Sequence, residues 1–226
     1  MISFYYFMLG ASIASFYFLV AFRLPLGQPI GFSRSKCDSC QKTLGATELI
    51  PIFSFLFNHG RCRYCQVNLS LAYPLFELCG ATITLFLFHS YSGKSLLING
   101  LLYSILFLIA AIDYHHFFIP DSLQIALFLL LFADSHNQQS ILGAVLFLIV
   151  SIFSSYLVKD GLGGGDVKLL VILGFYFGYL TTTKLLLLAA SLALSYFLVK
   201  KQEKLIPFAP YLTFAFFITK EFFVSR

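Results

Sequence analysis

Apolar positions in this chain follow neither the alternation of a half-buried strand nor the one-sided stripe of a soluble helix. They come in long runs separated by short polar stretches. The runs predict helical spans near residues 3–22, 74–91, 96–112, 121–133, 140–158, 167–180, 184–199 and 207–222. In hydrocarbon a backbone has no water to bond and must satisfy its own N–H and C=O groups, so such runs form helices. A β-barrel would read as short alternating segments, and none stand out here. Composition agrees: 59% of the 226 residues are hydrophobic, 11% are charged, and the mean hydropathy is +0.86. The expected fold is an all-α integral membrane protein of about eight transmembrane helices. The first run, Ile2 to Phe22, has no basic residue ahead of it and no small-residue cleavage site, so it reads as a retained span.

One stretch breaks the pattern. Arg23 to Tyr73 is polar and holds four of the five cysteines and six basic residues. The chain therefore reads as a first helix at 1–22, a cytoplasmic four-cysteine loop domain at 23–73, and a multi-span unit at 74–226. No internal repeat or low-complexity tract stands out. If the loop domain is cytoplasmic, alternation places 113–121, 159–168 and 200–206 on the same side. Those segments and the loop hold Arg23, Arg34, Lys36, Lys42, Arg61, Arg63, Lys159, Lys168, Lys200, Lys201 and Lys204, against Lys94, Lys184, Lys220 and Arg226 outside. Eleven basic residues against four is the bias of cytoplasmic loops, and it puts both termini outside. Two spans, 121–133 and 167–180, cover only roughly 20 Å of a hydrocarbon core about 30 Å thick. Each starts at or beside an aspartate, which points to a wet recess just below the membrane surface.

Those aspartates are the candidate chemistry. Asp113 closes the run Leu108 to Ile112 and is followed by Ile119-Pro120-Asp121; Asp166 ends Gly163-Gly164-Gly165 just before Val167-Lys168. Two predicted spans separate them, so the chain returns to the same face and the carboxylates can meet. A pair of neighbouring carboxyls can share one proton, one side taking a proton from water while the other donates to an amide. The three glycines leave room for an extended substrate backbone beside Asp166. They are not a phosphate loop, which would end in Gly-Lys-Ser/Thr. Local sequence also allows plainer roles: Asp113 as an interfacial cap, Asp166 as an N-cap, and Asp121 as the start of a helix after Pro120. His115 and His116 are either proton carriers or solvated loop residues, and Lys168 either neutralises the acids or anchors the cytoplasmic face.

Cys37-x2-Cys40 and Cys62-x2-Cys65 have the spacing of two knuckles of a zinc ribbon, and four thiolates close a tetrahedral site with no position left for a reacting water. The expected metal is thus structural zinc. Free redox thiols and disulfides are the alternatives, the latter requiring the opposite topology. Cys79 lies within an apolar span and is expected to pack there. The basic residues among the cysteines invite a nucleic-acid reading. Juxtamembrane anchoring and attraction to anionic membrane lipid account for them better, so no nucleic-acid partner is expected.

The ordered set Gly10-Ala11-Ser12, Phe22-Arg23-Leu24-Pro25, the paired cysteines, Tyr73-Pro74-Leu75-Phe76-Glu77, Asp113 through Ile119-Pro120-Asp121, Gly163-Gly164-Gly165-Asp166-Val167-Lys168 and Ile206-Pro207-Phe208-Ala209-Pro210 resembles the prepilin peptidases, GxGD-type membrane aspartyl proteases. The resemblance covers nearly the whole chain. It implies that Asp113 and Asp166 are the catalytic pair, in a bacterial cytoplasmic membrane with the active site toward the cytoplasm. It implies as substrates type IV prepilins or the pseudopilins of secretion and competence, cut between a short basic leader and an apolar helix. It also implies N-methylation of the new terminus from S-adenosylmethionine, with the loop domain as the place associated with that activity. Two positions depart from the family pattern: His115 stands where a second acid is common, and Ala209 where a glycine is. Gly163, Gly164, Gly165 and Lys168 are expected near the substrate, and Glu48 and Glu77 are the acids suited to a basic leader.

Two other function classes fit parts of this pattern. A cation or proton-coupled transporter would use membrane acids, although these lie near one face and the halves do not correspond. A non-catalytic zinc-ribbon scaffold would explain the cysteines and leave the glycine run before Asp166 without a role. Oligomeric state is not legible.

Overall fold

The computed structural model describes residues 2–31, 34–133, 140–157, 163–199 and 206–224. Lys159, Lys200, Lys201, Lys204 and Arg226, part of the charge count above, lie outside the described residues. Among the described residues the helices are α1 (Ile2–Arg23), α2 (Phe53–Phe57), α3 (Ala72–Ser90), α4 (Gly93–His116), α5 (Asp121–Ala133), α6 (Ile141–Leu157), α7 (Gly164–Val199) and α8 (Ala209–Ile218). There is no named strand among them; two isolated antiparallel bridges occur in the loop between α1 and α3. Among the described residues four stretches are long and apolar enough to cross a membrane: Ile2–Leu26, Ala72–Ser90, Gly93–His116 and Gly164–Leu198.

Packing divides the chain into two units, Met1–Tyr103 and Ser104–Arg226, with the division inside α4. In the first unit α1 presents a stripe of small residues, Gly10, Ala11, Ala14 and Ala21, interrupted by Phe18, and α3 meets it with Gly80 and Ala81. A Cβ at Gly80 would collide with the Cβ of Ala14, so the two backbones approach as closely as side chains permit. In lipid, where apolar contact alone gives helices no reason to associate, such close approach is what holds a pair together. Phe18 packs on Tyr73 and Phe76 at ring-centroid distances of 5.1 and 4.6 Å, and Tyr6 stacks on Phe88 at 3.9 Å. The segment 74–91, grouped by its sequence with the later spans, thus packs with α1.

The second unit is built around α7, which is two helices joined at Gly178. That residue has φ 73 and ψ 174, a conformation that a side chain would strain. The Thr182 hydroxyl donates to the Leu173 carbonyl at 3.0 Å, and the Ser140 amide donates to the Phe175 carbonyl at 2.7 Å. In a straight helix nine residues would span about 13.5 Å, so the chain folds back here and its freed carbonyls find new donors. The apolar pattern placed this break at 181–183. Those threonines instead begin the second half, with the Thr183 hydroxyl bonded back to the Tyr179 carbonyl at 2.7 Å. Lys220, counted above on the extracytoplasmic side, is 8% exposed within the π-helical turn Thr219–Val224.

Helix α6 crosses α7 at Gly143 and Gly174, where a Cβ on Gly143 would run into the Gly174 carbonyl. Gly143→Leu is expected to destabilise the protein by about 1–3 kcal/mol or more, because neither backbone can yield without unseating the other helix. Thermal unfolding in detergent measures this; an unchanged midpoint would mean that the crossing is not tightly packed.

Candidate active site and metal cluster

In the second unit α4 delivers Asp113 one turn before its end, and the helix is closed by Phe117, whose N–H donates to the Asp113 carbonyl at 2.9 Å. The carboxyl of Asp113 is buried, 5% exposed, and Oδ2 accepts the Ala209 N–H at 2.9 Å, with the Phe208 N–H as a second backbone donor. These are the amides at the start of α8, which have no partner within their own helix. Asp113 is therefore not a cap on its own helix. It grips the N-terminus of another, where Ile206-Pro207-Phe208-Ala209 had carried part of the family resemblance.

Asp166 is the third residue of α7, with Gly163 in the cap position and the Val167 N–H bonded to the Gly163 carbonyl at 3.1 Å. It is thus inside the first turn and not an N-cap. Its Oδ1 is buried without a hydrogen-bond partner among the described residues. Both aspartates belong to the second unit, and Gly165, directly before Asp166, lies against Ile119, six residues after Asp113. The glycine run has divided roles. Gly164 faces open space, whereas a Cβ on Gly165 would stand 3.0 Å from the Cβ of Ile119, so that glycine makes room for a neighbouring side chain of the protein.

Gln124 on α5 was not foreseen. It is 3% exposed, and its Nε2 donates to the Gly165 carbonyl at 3.1 Å, tying α5 to the residue before Asp166. An amide side chain directly before the unbroken apolar run Ile125–Ala133 was the available signal. Asp121 does begin α5, but its carboxylate is occupied by Lys168 Nζ at 2.6 Å. Lys168 therefore pairs with Asp121 and with neither Asp113 nor Asp166. His115 and His116 are half-buried at the end of α4, the His115 ring 5.5 Å from that of Tyr114.

In the first unit the four cysteines converge, with all four Sγ atoms within 4.8 Å of one another. The Cys37 and Cys65 sulfurs are 3.8 Å apart. A tetrahedral zinc with Zn–S bonds near 2.3 Å requires sulfurs about 3.8 Å apart, so the donor set fits that ion. The two knuckles are copies. Cys37 and Cys62 accept at their carbonyls from Gln41 and Gln66 at 2.8 and 2.9 Å and donate to Lys42 and Val67 at 3.0 and 2.9 Å. Gln41 and Gln66 both have φ 58, and Lys36↔Thr43 and Arg61↔Asn68 close the two loops. The absence of a repeat expected from the sequence is thus corrected: Cys-x2-Cys-Gln-x2-Leu recurs after 25 residues, from Cys37 to Cys62. Its short length hid it. Backbone donors from Cys65 and Tyr64 draw the Cys62 thiol down to about 7. At Cys40 the Lys42 amide acts in the same direction, but desolvation and the Cys37 and Cys65 sulfurs outweigh it and push the thiol up to about 11. Sulfurs this crowded resist full ionisation unless a cation joins them. Cys79, expected to pack, lies on an exposed face of α3.

Glu48 and Glu77 are turned inward. Glu48 Oε2 accepts the Gly45 N–H at 2.6 Å and lies 3.4 Å from the Tyr64 hydroxyl, joining the first knuckle to the second; its side chain is 6% exposed. Lys42 adds to the same clasp, 4.1 Å from the centre of the Tyr64 ring. Glu77, 9% exposed, accepts the Ile52 N–H at 2.7 Å. Ile52 has φ 65 and ψ −52 and sits at the centre of a γ-turn closed from the Phe53 N–H to the Pro51 carbonyl at 2.6 Å. For a β-branched residue this is a strained conformation. Both acids hold the loop in shape. Glu77→Ala is expected to cost about 1–3 kcal/mol and to raise amide hydrogen exchange around Ile52, while Glu77→Gln, which keeps an acceptor, restores protection. Equal exchange in all three proteins would remove this role.

Two family models match the chain: Bacterial Peptidase A24 N-terminal domain over residues 8–91 and Type IV leader peptidase family over residues 100–198. Curated relatives include a prepilin leader peptidase/N-methyltransferase of Bacillus subtilis, 34% identical over 182 residues, which are 76% of this chain and 72% of the relative. A protein of the same name from Klebsiella pneumoniae is 36% identical over 207 residues, 83% of this chain and 90% of the relative. No solved structure matches. With relatives of this identity covered over most of their length, and with both units matched, the chain belongs to the type IV leader peptidase family.

Proposed function

We propose that this protein is a membrane aspartyl endopeptidase that removes the short basic leader of type IV prepilin-like proteins, with Asp113 and Asp166 as its catalytic pair. The observation that carries the reading is the placement of both aspartates in one unit, with one oxygen of Asp166 buried and bare of partners. A buried carboxylate oxygen without a donor is costly in a resting fold and is suited to hold a water or a substrate group. In the reaction one carboxyl takes a proton from water as it adds to the scissile carbonyl. The other gives a proton to the departing amine, and the shared proton returns the pair to its starting state. Asp113 is fixed for this by the α8 amides and Asp166 by the first turn of α7.

The active site faces the cytoplasm of a bacterial cell membrane, the chain crosses eight times, and both termini lie outside. The helical halves on either side of Gly178 and the distribution of basic residues support that count and orientation. Residues 23–73 form a cytoplasmic loop domain in which Cys37, Cys40, Cys62 and Cys65 hold a structural zinc in a ribbon-like arrangement. That ion would cross-link the knuckles and take no part in proteolysis. The relatives' names also carry N-methyltransferase, and transfer of a methyl group from S-adenosylmethionine to the new N-terminus is the second activity proposed. The described part of the loop has knuckles, short turns and α2, with no strand-to-helix glycine turn of the kind that cradles a nucleotide. No residue is assigned to the methyl donor.

The test is incubation of the detergent-solubilised protein with a prepilin-like peptide, followed by mass spectrometry. Leader removal supports the peptidase; its absence with an authentic substrate overturns it. A further gain of one methyl mass when the donor is supplied supports the second activity.

A further inference from the structure

Apart from Ser54, every residue of the short helix α2 is apolar. Phe55 is turned toward the loop, where a Cβ on Gly60 would stand 2.9 Å from its ring. A helix turns about 100° per residue, so Phe53 and Phe57, two positions to either side, point away from the loop. Their rings stack with centroids 6.4 Å apart. Leu56 and Phe57 are 61% and 78% exposed, and Leu49 and Ile50, just before the helix, are 48% and 41% exposed. Large apolar side chains gathered at a surface in this way mark a place of interaction.

What covers this face follows from where it is held. The Ile52 N–H, at the turn leading into α2, donates to Glu77 Oε2 at 2.7 Å, and the Ser15 hydroxyl bonds the same carboxylate. Glu77 stands five residues after Ala72 in α3, and Ser15 eight residues before Arg23 in α1, both in stretches apolar enough to cross a membrane. The turn is therefore kept beside the first two turns of α3, within about 7.5 Å of its start. Apolar faces of interfacial helices lie about 5–10 Å into the boundary between headgroups and acyl chains. Charge agrees with that setting. The loop carries Arg23, Arg34, Lys36, Lys42, Arg61 and Arg63 against Asp38 and Glu48, and Glu48 is turned inward. Such an excess of cations beside an apolar face suits anionic lipid and repels a basic leader.

We propose that α2 and the turn before it are embedded in the interface of the protein's own membrane, with Leu56 and Phe57 among the upper acyl chains and basic residues of the loop at anionic headgroups. The four-cysteine loop then rests on the bilayer instead of standing free in water. This goes beyond the peptidase reading and does not depend on it.

The protein contains no tryptophan, so Phe57→Trp and, separately, Leu56→Trp each supply a single fluorescent reporter at an exposed position. The full chain is placed in nanodiscs of phosphatidylcholine and phosphatidylglycerol whose acyl chains carry bromine either near the headgroup or near the methyl end. Each reporter is expected to lose most of its emission to the bromines near the headgroup, to lose less to the deep ones, and to be shielded from acrylamide in the water. Quenching by acrylamide and not by brominated lipid would mean a face free in solution. Quenching by neither would mean a protein cover, such as another copy of the chain. Either result overturns the proposal. A prepilin-like peptide added to the nanodiscs is expected to leave the lipid quenching unchanged; its loss would make the face a substrate dock and also overturn the proposal. The readout needs no cleavage, so it is independent of the outcome for the two aspartates.

Discussion

Asp166→Asn is expected to lower leader removal by about 100- to 10,000-fold, the range that a positioned acid–base group contributes. The amide is nearly isosteric with the carboxyl but neither takes nor gives a proton at neutral pH. Because Asp166 Oδ1 has no donor to lose, the substitution should leave thermal stability close to that of the wild type. Asp113→Asn should be equally inactive, and it can keep its side-chain carbonyl on the Ala209 N–H. Asp113→Ala removes that acceptor and is expected to add an instability of about 1–3 kcal/mol through the freed start of α8. The double variant should be no slower than either single one, as for groups that act as a unit. Cleavage by mass spectrometry and unfolding in detergent check both sides, and full cleavage by either asparagine variant would falsify the dyad.

Cys37→Ser combined with Cys62→Ser should abolish a zinc content of about one ion per chain. Each substitution removes the buried thiol of one knuckle, leaving the exposed Cys40 and Cys65 alone. Structural zinc sites contribute apparent binding free energies of about 10–16 kcal/mol, far more than two five-residue loops and a one-turn helix can supply by packing. Elemental analysis and limited proteolysis should therefore change together, with cuts appearing between the knuckles as the metal is lost. A metal-free protein whose loop resists protease as well as the wild type would end the structural role.

The helices were legible because lipid leaves the backbone no alternative, and seven of the eight predicted spans begin within about three residues of a helix or half-helix start. The break in α7 was misplaced because three consecutive threonines look like a connection, while a single glycine in an apolar run does not. What distinguishes them is φ 73 at Gly178, a property of the folded chain. The convergence of the four cysteines followed from their spacing. The inward turn of Glu48 and Glu77 did not, since an acid near a basic-substrate site and an acid clasping a γ-turn are the same letter. Asp113 and Asp166 stood out as candidates from their places at the ends of apolar runs, but the grip of Asp113 on α8 joins residues 96 apart. Gln124 was visible as an amide directly before an apolar run and went unread because its partner is a backbone carbonyl, which every residue possesses.

The paired knuckles bear on how the chain is made. The first emerges from the ribosome with two thiols, half a coordination sphere, and its complement follows 25 residues later, about 1–5 s at ordinary synthesis rates. Glu77, which clamps the strained turn between them, comes 12 residues after Cys65. A zinc held by all four cysteines, as proposed above, could be captured only after Cys65 emerges, seven residues before α3 begins, so its capture would fall just ahead of the synthesis of that helix.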